Sequence, residues 1–291
     1  MDRIDKVANT YRSLNLRLEI TAVLLPPIFL RICTHIGPLR TFLEFHTYTI
    51  RHGVATGLKR KGGIGFIPQL FPPTKEERFL SDLDLVGKTV YDIGGFEGIF
   101  TIFFAKSVGK NGKVITFEPN PQNFSKLLEN VKLNNFDNIV KLQQLALGRK
   151  KEKVTFAYHP SAPARGSVQK GITTRISGKN GEKISQVDVD SLDNQVRAEN
   201  LPKPDIVKID VEGLELDVLF GMRETIRKYR PKLIVEIHGM DEEKRVKQAE
   251  DVVKFLVENK YFLYHIESNR IINMDNSHLA KEGHIYAYNA S

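Results

Sequence analysis

Thiols, long apolar runs and a charge surplus in the main body of the chain are all scarce in this sequence. Its 291 residues include one cysteine, Cys33, which excludes an internal disulfide framework and a zinc site built from several thiolates. The same scarcity fits a reducing, cytoplasmic setting. The apolar stretch nearest the start, Ile20 to Leu30, has 11 residues and is interrupted by Pro26-Pro27, whereas a spanning helix needs about 20. No small-residue cleavage site follows it, so neither a spanning segment nor a secretory leader is expected there. Residues 76–291 hold 32 Lys/Arg against 31 Asp/Glu, and nearly all of the net charge of +8 falls in residues 1–75, with 11 against 4.

That imbalance divides the chain into a basic extension, 1–75, and a neutral domain, 76–291. In the extension, Ile4, Val7, Tyr11, Leu14 and Leu18 recur at helical spacing, and 28–43 reads as a second helix broken near Gly37-Pro38. Residues 53–73, rich in glycine and proline and carrying Lys59-Arg60-Lys61, read as a linker. A basic amphipathic segment favours anionic surfaces. Peripheral contact with the inner membrane surface is one expectation for residues 1–75, and a helical lid on the following domain is the other.

Strand and helix signals alternate from there on. Thr74-Lys75-Glu76-Glu77 has the form of a capping box and predicts a helix to about residue 83. Strands are expected over 89–93, 113–117, 139–145, 206–210 and 233–237, with helices over 99–106, 120–134, 215–229 and 241–259. Further strands are expected near 261–266 and 285–288. Residues 154–158 and 185–189 read as antiparallel strands flanking a polar insert. Short apolar strands alternating with helices imply an α/β fold: a doubly wound, mostly parallel seven-stranded sheet, Rossmann-like, with an N-terminal helical extension.

The most informative stretch is Val90-Tyr91-Asp92-Ile93-Gly94-Gly95-Phe96-Glu97-Gly98. A strand ends in a glycine-bearing turn and hands over to a helix, at the sheet edge where such folds bind ligands. A dinucleotide wants G-x-G-x-x-G, so that bare backbone can approach its diphosphate. Here those positions are Asp92, Gly94 and Glu97, and acids repel phosphate. S-adenosylmethionine makes the opposite demand, having no phosphate and two cationic groups. Gly94 and Gly98 would admit backbone close to it, while Asp92, with Glu97, would offset its charge. Glu118, 20 residues beyond Gly98 at the tip of the next strand, is placed to accept both hydroxyl hydrogens of a ribose. Asn120 is expected to cap its helix, and Gln144 to Ala146 to flank the adenine ring.

A second cluster runs from Asp205 to Glu215, with Asp210, Glu212 and Glu215 following an apolar strand. The two glutamates also suit a helix start, where the dipole favours carboxylates. Lys208 inside that strand requires a buried carboxylate partner. The next strand brings Glu236 and then His238. Histidine is the usual acceptor for the proton an alcohol must lose, so His238 is the candidate general base across from Asp210. Asp210, Glu236 and His238 also permit a divalent cation, without requiring one.

At these residues the chain resembles the FkbM family of S-adenosylmethionine-dependent methyltransferases. The resemblance covers about 76–240 and is carried by Val90 to Gly94, by Phe117-Glu118-Pro119-Asn120, and most specifically by Lys208-Ile209-Asp210-Val211-Glu212-Gly213 with Glu215. It implies a class I methyltransferase that methylates oxygen on carbohydrate, glycolipid or natural-product hydroxyls. Asp92, Gly94, Gly98 and Glu118 would hold the cofactor, and Asp210 and Glu212 would line the reaction cleft. The chain departs from the family's usual Gly-Ala-Asn with Gly94-Gly95-Phe96. Two other readings compete. A nucleic-acid methyltransferase would need an aromatic platform for a flipped base, and Asp210-Val211-Glu212-Gly213 offers acids instead, so no nucleic-acid partner is expected. A non-catalytic scaffold would retain the fold without turnover.

Overall fold

The computed structural model describes residues 46–62, 73–159, 162–169, 183–239 and 241–289. The helices expected over 4–18 and 28–43 lie outside the described residues. Among the described residues no helix is long and apolar enough to cross a membrane.

Part of the segment that reads as a linker is folded. Strands β1 (Thr47–Thr49) and β2 (Lys59–Lys61) pair antiparallel. Tyr48, Ile50, Ala55 and Leu58 are buried in the same apolar cluster as the main sheet. Glycine and proline content therefore misread a hairpin whose burial depends on partners distant in sequence. Helix α1 (Lys75–Ser81) begins with the expected capping box, Thr74 and Glu77 satisfying each other's backbone N–H groups.

The first half of the sheet follows as β3 (Thr89–Ile93), α2 (Ile99–Val108), β4 (Lys113–Phe117), α3 (Pro121–Leu133) and β5 (Val140–Gln143). Asn120 caps α3 by accepting from the Gln122 N–H at 2.9 Å, with Pro121 at the first helical position, where its missing N–H costs nothing. The strand expected over 139–145 ends at Gln143. After β5 the chain turns, and β6 (Ala146–Leu147) joins a separate sheet of order β6-β9-β7-β8, built with β7 (Glu152–His159), β8 (Ala162–Gln169) and β9 (Lys183–Asp190). β7 and β9 pair antiparallel as expected, and the polar insert between them contributes β8.

The chain then runs through α4 (Leu192–Ala198), β10 (Ile206–Ile209), α5 (Glu215–Gly221), α6 (Arg223–Tyr229), β11 (Lys232–Ile237), α7 (Glu242–Glu258), β12 (Phe262–His265), β13 (Arg270–Ile272) and β14 (Gly283–Tyr288). One helix is expected over 215–229, and two form. Asp193, on α4, accepts from the Glu224 and Thr225 N–H groups at 2.9 and 2.8 Å. It caps α6 from another element, a contact with no local sequence signal.

The main sheet has the order β13-β12-β14-β11-β10-β3-β4-β5, parallel from β11 to β5. This is the doubly wound α/β fold the sequence implies, with seven strands plus the short edge strand β13. Alternation along the strands divides the core. Val90, Ile206 and Ile234 face the cluster with α2 and the N-terminal hairpin, while Tyr91, Val207 and Val235 face the cluster with α5 and α7. Chain order reverses direction between β3 and β10, which opens a crevice beyond the carboxyl ends of those strands.

Candidate active site

A cavity of about 370 Å³ occupies that crevice. Asp92 and Gly94 reach its wall from β3, Glu118 from β4, Ala146 from β6, and Asp210 and Glu212 from the end of β10. Six of the nine residues singled out by sequence thus meet there. Gly98 and Gln144 do not line it. Gly98 caps α2 at φ +91°, and a Cβ there would lie 2.6 Å from Leu127 Cδ1, so this glycine allows α2 and α3 to approach each other. His238 stands just behind the wall.

The three acids of the first half differ in state. Asp92 is 1% exposed, and one carboxylate oxygen accepts from Thr101 Oγ1 at 2.6 Å. Its other oxygen, Oδ1, has no hydrogen-bond partner among the described residues. Burial pushes its pKa up, against the opposing charge of Lys208. Glu118 accepts from the N–H groups of Phe96 and Asn120 at 2.9 and 2.8 Å. Burial outweighs those bonds and moves its pKa up to about 7. Phe96, at φ +49°, is the residue whose backbone N–H reaches this carboxylate.

Glu97 does not face the cavity. Burial pushes its carboxyl up, but Arg60 and Lys126, at 2.5 and 2.7 Å, outweigh it and hold the pKa below the ordinary value. The charge assigned to a ligand is taken by the N-terminal hairpin. Lys61 pairs with Glu129 at 3.0 Å, and the backbone N–H groups of Lys59 and Lys61 donate to Asn134, which caps the end of α3, and to Asn130.

The second cluster is denser than the sequence suggests. Lys208, 1% exposed, pairs with Asp210 Oδ2 at 3.0 Å and lies 3.9 Å from Glu76 on α1, with Phe100 under its ammonium. His238 Nδ1 is 2.8 Å from the fully buried Glu215, whose other oxygen accepts from Gln248. Its Nε2 faces Glu236, Asp210 and Glu212 at 3.5, 3.7 and 3.9 Å. Burial pushes the imidazole down, yet Glu215, Glu236 and Glu212 raise it to about 9. The upward shift favours the protonated ring over the proton-accepting form that a general base requires. Glu236 also contacts His284 Nε2 at 3.4 Å, and His284 Nδ1 meets Glu267 at 2.7 Å. Sequence reasoning missed Glu76, Glu267 and His284. They come from α1, from the turn after β12 and from β14, and only the antiparallel register Glu236↔His284 brings them in.

The chain aligns over 148 residues with hexuronic acid methyltransferase AglP of Haloferax volcanii at 34% identity, covering 50% of this chain and 54% of AglP. Over 160 residues it is 28% identical to methyltransferase 1 of Beauveria bassiana, covering 51% and 64%. The match thus spans between half and two thirds of these curated relatives. Among solved structures it resembles methyltransferase FkbM from Methylobacillus flagellatus KT, with a TM-score of 0.47 and 17% identity over 72% of this chain and 45% of that one. The O-methyltransferase from Bacillus cereus in complex with SAH gives a TM-score of 0.44 and 14% identity, covering 77% and 84%. The family model described as the methyltransferase FkbM domain matches residues 91–263, more than half of the sequence, and the chain belongs to that family.

Proposed function

We propose that the cavity binds S-adenosylmethionine and that the protein transfers its methyl group to a hydroxyl oxygen of a sugar or sugar-bearing small molecule. The observation that carries this reading is the buried Asp92 Oδ1, left without a partner on a cavity wall that also presents Glu118, Asp210 and Glu212. A buried carboxylate oxygen is stable there when a cationic donor reaches it. A diphosphate would instead face four acids. Family membership and the name of AglP support the reaction class and the sugar acceptor.

In this reading Asp92 and Glu118 hold the cofactor, with Gly94 keeping the turn clear and Ala146 on the opposite wall. The bound cofactor supplies an electrophilic methyl group on a sulfonium. Asp210 and Glu212 would orient the acceptor hydroxyl, and one of these carboxylates would take its proton as the oxygen–carbon bond forms and the sulfur–methyl bond breaks, with S-adenosylhomocysteine leaving. Positioning in a water-poor crevice contributes most of the rate. His238 stands behind those carboxylates, its Nε2 3.7 Å from Asp210 and 3.9 Å from Glu212. Residues 1–75 remain a proposed docking extension for an acceptor presented at an anionic membrane, except for the hairpin, whose Arg60 and Lys61 pair with Glu97 and Glu129.

Titration with S-adenosylhomocysteine tests the assignment. Asp92→Ala and Glu118→Ala are each expected to bind it about tenfold or more weakly, the cost of one lost charged hydrogen bond. Affinities equal to wild type would remove the cofactor reading. A pH series adds an independent check. Hydroxyl donors favour the ionised carboxylate, so binding pulls the Glu118 pKa below its free value of about 7 and releases a proton. Affinity should therefore rise with pH through 7 and level off above it, being roughly tenfold weaker at pH 6 than at pH 8. Glu118→Gln should flatten the profile.

A further inference from the structure

We infer that His238, Asp210 and Glu236 form a binding site for one divalent cation beside the cavity, and that oxygens of the acceptor complete its coordination. The second part rests on the proposed methyl-transfer reading, and the first does not. Each of the three side chains has one polar atom fastened from outside. His238 Nδ1 is held by Glu215 at 2.8 Å, Asp210 Oδ2 by Lys208 at 3.0 Å, and Glu236 Oε2 lies 3.4 Å from His284 Nε2. His284, itself nine-tenths buried, sets its Nε2 between Glu76 Oε1 at 3.1 Å and Glu236 Oε2 at 3.4 Å, which turns the other oxygen of Glu236 towards the trio.

The inner atoms of the trio then converge without bonding to one another. Nε2 of His238 stands 3.7 Å from Asp210 Oδ1 and 3.5 Å from Glu236 Oε1, beyond hydrogen-bond range. The three ligand atoms lie within 4.8 Å of one another. A point equidistant from them is no more than about 2.4 Å from each, which suits Ca²⁺ as it stands and a smaller divalent ion after a slight closing of the side chains.

Ring orientation by a buried carboxylate on the far nitrogen is what metal-binding histidines require. The cation takes the place of the imidazole proton and neutralises the carboxylates that face it. Two carboxylates with one imidazole favour Mn²⁺ or Mg²⁺ over thiophilic ions. Asp210 also lines the cavity, so the open coordination positions face the substrate side. The acceptor class follows: a hydroxyl with a second oxygen on the neighbouring carbon, a vicinal diol or a hydroxy-carboxylate, able to chelate.

Mn²⁺ titrated into the full chain and followed by loss of the free-ion paramagnetic resonance signal is expected to fill one site. Asp210→Asn and Glu236→Gln should each weaken it at least tenfold. Glu215→Gln, which touches no ion, should weaken it about tenfold through the ring. Glu215 and Glu236 do not line the cavity, so S-adenosylhomocysteine affinity within threefold of wild type in those variants confirms folding. In wild type, substoichiometric Mn²⁺ should broaden the His238 ring resonances first, which locates the ion without any substitution. No Mn²⁺ bound, or broadening centred on another histidine, overturns the site. Retained cofactor binding beside that result leaves the methyl-transfer reading standing, and cofactor failure beside Mn²⁺ binding does the reverse.

Discussion

Lys208→Met is expected to destabilise the protein by about 3–5 kcal/mol, the usual cost of breaking a buried ion pair from one side. Methionine keeps most of the lysine's volume, so little of the loss arises from a cavity. What remains is a fully buried hole in the charge balance. The ammonium faces Asp210 and Glu76 directly and Asp92 through space. Burial alone lowers its pKa, yet these three carboxylates hold it above the ordinary lysine value. Without it, all three acids sit near each other with their common counter-charge gone, and at least one must take up a proton.

Urea unfolding reads the effect as a lower midpoint at unchanged slope. Glu76→Gln added to Lys208→Met should recover about 1 kcal/mol, because one of the orphaned charges disappears. A loss below about 1 kcal/mol in the single variant would mean that the ammonium contributes no more than a surface charge. Cofactor affinity should fall as well, since Asp92 and Asp210 share both this lysine and the cavity wall.

Much of this arrangement was legible from the sequence because it is local. Strand periodicity, the capping box at Thr74 and the Asn120-Pro121 helix start are written in neighbouring residues, and each forms where expected. So is the excess of acid at Asp92 and Glu118, because both residues end strands that the sheet sets side by side. Lys208 announced by its burial in an apolar run that a partner had to exist, but the partner's name needed geometry. What was not legible depends on contacts between distant elements. Arg60 pairs with Glu97 outside the cavity across 37 residues, and Asp193 splits an expected helix by capping α6 from α4. His238 read as a base because its type and place suggested one. Its charge is set by Glu215, Glu236 and Glu212, and no rule of spacing gives their distances.

Gly94→Ala should be the most damaging single-carbon change in the crevice, costing about 2–5 kcal/mol and removing measurable cofactor binding. Two costs add. The residue sits at φ +89°, where a Cβ meets the backbone and a non-glycine residue loses about 1–2 kcal/mol. That Cβ would also stand 1.8 Å from the carbonyl oxygen of Asp210, so β3 and β10 must part where their ends form the cavity, an overpacking cost of about 1–3 kcal/mol. The two costs separate within the same protein. Gly87 has φ +71° with nothing within 4 Å of its would-be Cβ, so Gly87→Ala carries the backbone cost alone and should lose about 1–2 kcal/mol with cofactor affinity intact. Thermal unfolding and a cofactor titration on both variants decide the matter. Equal losses in the two would show that β10 yields freely to the extra carbon. In that case the close contact between Gly94 and Asp210 would not hold the two halves of the crevice in register.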